Sequence, residues 1–93
     1  MSLFLKDPGA ALDHGVDWTD ALAPSASLVS AAWAIEPIEP GGLVADGQRI
    51  EGALALVRLS EGVAGHVYRA TCRAGFSDGS ADERSLVIRV EER

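Results

Sequence analysis

From Leu12 onward the chain alternates. Leu12, His14, Val16 and Trp18 fall on one side of an extended segment, with Asp13, Gly15 and Asp17 on the other. A period of two marks a half-buried strand. Thr19 to Leu22 fits one helical turn, which Pro24 stops. Alternation resumes with Val29, Ala31, Trp33 and Ile35 on one face, although the alanines at 31, 32 and 34 also allow a helix. The prolines of IEPIEPGG forbid a central strand there. Leu43 to Ala45 and Gln48 to Glu51, split by Asp46-Gly47, suggest a small hairpin, and Ala53 to Leu59 suggest a further strand.

The last quarter, VYRATCRAGFSDGSADERSLVIRV, can be read residue by residue. A two-residue Asp78-Gly79 turn would mix polar and apolar residues on one face. A three-residue loop, Ser77-Asp78-Gly79, with Gly79 at positive φ, sorts them. It pairs Phe76 with Ser80, then Cys72 with Arg84, Ala70 with Leu86, Tyr68 with Ile88 and His66 with Val90, giving a largely apolar core face. The opposite face carries Arg73–Glu83, Thr71–Ser85, Arg69–Val87 and Val67–Arg89, and is expected to be wet.

Short strands about ten residues apart with turn signals between them predict an all-β fold. The expected architecture is one immunoglobulin- or fibronectin-like sandwich of about seven antiparallel strands spanning residues 1–93. Residues 1–10 form an extended N-terminal arm in this reading, because Pro8-Gly9 breaks the chain after Leu3-Phe4-Leu5; the alternative is that the arm is the first strand. Tyr68, placed after the glycine-bearing loop, is positioned either as an ordinary core residue or to bond back to the preceding corner, as in immunoglobulin-like sandwiches.

Composition narrows the chemistry. Only five residues are aromatic, and small apolar side chains dominate, which suits a thin sandwich better than a deep pocket. A net charge of −6, with the eight basic residues scattered, argues against nucleic acid and anionic membrane as partners. Cys72 is the single cysteine and sits in a strand, so it reads as a buried structural thiol. MSLFLKDPGA is too short for a signal-peptide core or a membrane span, so the chain is expected to be cytosolic at synthesis. No phosphate loop, dinucleotide fingerprint, zinc spacing or hydrolase order is present, so no catalytic residue, metal ligand or cofactor is assigned. Asp13 and Asp17 share a strand face and form a conceivable calcium pair, weighed against solvated acids.

Two stretches carry a resemblance. KDPGAALDHGVDWTDAL, with its K-D-P and L-D-x-x-x-D-W-x-D-x-L, is similar to the opening of small phage and prophage fiber–tail adaptor proteins. VRLSEGVAGHVYRATCRAGFSDGSADERSLVIRV resembles that family's L-S-x-G-x-x-G, tyrosine strand, turn and D-x-R-S order, while the middle, IEPIEPGGLVADGQRIEGA, departs from it. The resemblance implies a virion structural protein of the tail region, assembled in the host cytoplasm. Its partners would be other tail, baseplate or fiber proteins, and copies of itself in the assembled particle. The contacts expected under it are Leu3, Phe4 and Leu5 of the arm, and Trp18 as an anchor or as a seal for one end of the sandwich. The competing class is an adhesion-type immunoglobulin-like module for a glycan or host surface, which would need exposed rings.

Overall fold

The computed structural model describes residues 2–92. Among them the strands are β1 (Ser2–Lys6), β2 (Leu12–Asp17), β3 (Leu28–Glu36), β4 (Leu43–Glu51), β5 (Leu54–Glu61), β6 (Val67–Phe76) and β7 (Ala81–Val90), with one 3-10 turn at Thr19–Ala21. They form two sheets, β1-β7-β6-β3 and β2-β5-β4. The fold is an all-β sandwich, as the alternation implied.

The β6–β7 hairpin sets the pattern. Its register pairs Cys72 with Arg84, Ala70 with Leu86 and Tyr68 with Ile88, as turn chemistry required. Phe76 N–H donates to Ser80 O at 2.9 Å, Gly79 N–H donates to Phe76 O at 3.0 Å, and Gly79 takes φ 88°. Every second residue of β6, from Tyr68 to Phe76, is buried. Ala55, Val57 and Leu59 of β5 meet them from the other sheet, with Trp33 and Trp18 filling the space between. Burying such side chains contributes about 1.5–3 kcal/mol each for the larger ones, and this apolar layer holds the sheets together.

The structure differs from expectation in three places and chooses between two open readings in a fourth, the arm. Asp46-Gly47 is no turn: β4 is continuous, with a register shift between Asp46 and Arg49 and Gly47 at φ 59°. An Asp-Gly pair fits a bulge as well as a hairpin, and the actual turn is Gly52-Ala53, where Glu51 pairs with Leu54. In β3 a second irregularity between Leu28 and Ser30 turns Leu28 inward and leaves Val29 58% exposed, while Ala31, Trp33 and Ile35 keep the expected side. The arm is a strand: β1 lies against β7 rather than standing free. That pairing is parallel, not antiparallel; β1 and β7 come from opposite ends of the chain, and with no hairpin joining them the parallel direction is open.

Candidate assembly surface

The two outer faces differ in character. On the sheet β2-β5-β4, the Asp13 carboxylate accepts from Arg58 at 3.0 Å and Arg49 at 3.1 Å, and Arg49 also reaches Glu51 at 3.1 Å. These guanidinium contacts, Arg58's first, hold the Asp13 carboxyl below its usual range. Asp17 accepts the Thr19 N–H at 2.9 Å and hydroxyl at 2.6 Å. Both carboxylates weighed for calcium are therefore already bonded within the chain. This face consumes its own charges.

The outer face of β1-β7-β6-β3 is polar along one half, where Thr71 and Ser85 hydroxyls lie 2.9 Å apart and Arg73 meets Glu83 at 3.7 Å. The other half sets apolar side chains between Arg69 and Arg89. The register sets Leu3 beside Val87, with Arg69 on the far side of Val87, and Leu5 beside Arg89, with Val67 on the far side of Arg89. Leu3 is 64%, Leu5 45% and Val67 50% exposed. A shallow groove of about 420 Å³, lined by Glu36, Pro37, Val67, Tyr68, Arg69 and Val87, continues the patch. The next residue after Pro37, Ile38, is 94% exposed. Residues this apolar and this open, gathered at one end of one face, mark a surface suited to a protein partner.

Of the contact residues expected from sequence, Leu3 and Leu5 lie on this patch. Phe4 has the opposite parity: it turns toward the seam between the sheets, edge-on to His14 with ring centres 5.0 Å apart. There it borders a cleft of about 470 Å³ with Gly15, Val16, Asp17, Arg84, Ser85 and Leu86. Of the two places expected for Trp18, anchor or seal, the structure shows the seal. It is fully buried, packed edge-on against Phe76 at 5.7 Å and covered by the Arg84 guanidinium 4.5 Å above its ring. Arg84 Nη1 also donates to Asp17 O at 2.9 Å, closing that end of the sandwich. Trp18 seals the core and offers a partner nothing.

Val67, Val87 and Ile38 were missed as contact candidates. The signal was present: two valines stood on a face read as wet, and an isoleucine stood between two prolines.

Three contacts hold the patch in place. Lys6, fully buried, donates from Nζ to Asp7 O at 2.8 Å and Glu61 O at 2.7 Å, tying the end of β1 to the end of β5. Burial draws its pKa down, against the opposing charges of Asp7 and Glu61. The Tyr68 hydroxyl accepts the Val63 N–H at 3.0 Å, the corner bond anticipated for it. His66 Nδ1 meets Glu39 Oε1 at 2.9 Å, fixing the loop that carries Ile38. Cys72 is fully buried between the sheets, and burial pushes its thiol pKa up.

A family model described as "Podophage GP4 fiber-tail adaptor protein gp77" matches residues 6–89. A search of the curated proteins finds no match.

Proposed function

The chain belongs to the podophage fiber-tail adaptor family, and from that premise we propose that it joins tail components through protein–protein contact alone, without catalysis. Its place is the virion tail and its partners are tail or fiber proteins. The observation that carries the contact is the end of the outer face of β1-β7-β6-β3 where Leu3 lies beside Val87, and Leu5 and Val67 flank Arg89. A non-catalytic role is supported by the buried thiol of Cys72, which no substrate can reach. The acidic net charge of −6 favours proteins over nucleic acid or anionic membrane as partners, and the family match supports assembly in the host cytoplasm before release in the particle.

The adhesion reading has less behind it. Trp18, Trp33, Tyr68 and Phe76 are all buried, leaving Phe4, at 36% exposure, as the ring nearest to the surface.

The test is the double substitution Leu3→Ser with Val67→Ser, supplied as the sole copy during phage assembly. Both side chains are half exposed or more, so thermal melting should move little. Each apolar side chain lost from a closed interface costs about 1.5–3 kcal/mol, so the variant's amount in purified particles should fall at least about tenfold. Wild-type amounts of a folded variant would remove the patch from the interface.

A further inference from the structure

β7 is twice as long as the strand beside it. Among the described residues β1 pairs only with Leu86 to Val90, and no described strand lies beside Ala81 to Ser85 of β7 on that side. The β6–β7 ladder fixes what this edge presents. Phe76 N–H bonds Ser80 O and Val90 N–H bonds His66 O, so even-numbered residues of β7 face β6. Alternation then points the N–H and C=O of Ala81 and Glu83 outward, where β1 would lie if it were longer. The Glu83 N–H is taken at 2.8 Å by the carboxylate of its own neighbour, Asp82. A side chain is standing where a strand's carbonyl would be.

Beside this edge opens the seam cleft of about 470 Å³, with Phe4, Gly15, Val16 and Leu86 among its walls. A strand laid along Ala81–Ser85 would direct alternate side chains over that cleft, which is how strand addition combines backbone affinity with side-chain selection. We propose that this vacant edge accepts an extended segment of a partner tail protein, in line with β1, with an apolar side chain over the cleft and a basic one toward Asp82. The proposal rests on the tail-adaptor reading and gives it a second, separate contact.

The surroundings decide the occupant. Asp82 and Glu83 lie on this edge, Asp78 in the turn before it and Asp17 beside Arg84, four acids against Arg73 and Arg84, so a basic segment is complementary and a second copy of this acidic chain is not. A second copy's β7 also fails on geometry: paired here antiparallel, its 77–79 loop would run into the start of β1.

Glu83→Pro tests this. It deletes an outward N–H that the β6 ladder does not use, at a position where an edge strand tolerates proline. Glu83→Ala keeps the N–H and is the control, and Ala81→Pro repeats the test at the first residue of the strand. Each is supplied as the sole copy during phage assembly, checked for wild-type melting, and quantified in purified particles by mass spectrometry. Expected is a drop of at least tenfold for the proline variants and none for Glu83→Ala. Folded proline variants incorporated at wild-type levels overturn strand addition while leaving the tail role intact. Failure of both proline variants to fold also overturns it, since the edge N–H groups would then be needed within the fold. Absence of the wild-type chain from particles removes the tail reading and this proposal together.

Discussion

The Tyr68 hydroxyl shows how much one polar atom can fix. It accepts the Val63 N–H at 3.0 Å from the loop leaving β5, and burial, with Glu39 nearby, raises its pKa. Tyr68→Phe would strand a backbone donor at that corner and should lower stability by about 1–2 kcal/mol in urea denaturation. His14 acts in the opposite sense. Its Nε2 is buried without a hydrogen-bond partner among the described residues, and burial holds its pKa below 6.5, with Lys6 adding to the effect and Asp13 opposing it. Because the folded pKa is the lower one, the unfolded chain takes up a proton first as pH falls through 6.5. Stability from this residue is therefore present above that pH and declines on acidification. Thermal melts of His14→Leu should show a smaller loss between about pH 7 and pH 5 than the wild type, and an equal loss would assign the acid sensitivity elsewhere.

At the scale of elements, the β6–β7 hairpin is the most self-sufficient unit, and Gly79 is its hinge point. Gly79 sits at φ 88° and a Cβ there would meet nothing within 4 Å, so Gly79→Ala carries a backbone penalty alone. A loss of about 1 kcal/mol in chemical denaturation is expected, with the fold retained. The same locality made this hairpin legible in the sequence: period, turn residues and cross-strand pairs all lie within one short stretch and agree. Elsewhere the local signals were ambiguous. Asp46-Gly47 satisfies the rules of both a turn and a bulge, and only the pairing of Glu51 with Leu54 decides between them. Val29 was placed inward by an unbroken alternation, and the irregularity before Ser30 reversed it. The β1 pairing depends on residues more than eighty positions away, so Leu3-Phe4-Leu5 read equally well as an arm.

Across the whole molecule, the asymmetry between the outer faces is what the sequence revealed least. Asp13, Arg49 and Arg58 look like a charged binding face until their mutual contacts are seen, whereas Val67 and Val87 look incidental among arginines until β1 sets Leu3 beside Val87 and Leu5 across Arg89 from Val67. Trp18 illustrates the same gap. Its burial depends on Arg84, sixty-six positions later, reaching over the ring from a strand in the other sheet. The family's motifs were legible because they follow the chain, while the patch is assembled by register and becomes visible only when strands from both ends lie together.

The parallel pairing of β1 with β7 has a mechanical side. Tension applied at Leu3 and at Glu91 would drag these two strands past each other along their length, loading the whole ladder from Ser2↔Leu86 to Lys6↔Val90, and the Glu91 N–H bond to Lys6 O at 2.9 Å, at the same moment. A hairpin pulled from its open end gives way one bond after another; a lap joint of this kind does not. Held between components by these two ends, the chain would resist stretching far better than its modest core suggests.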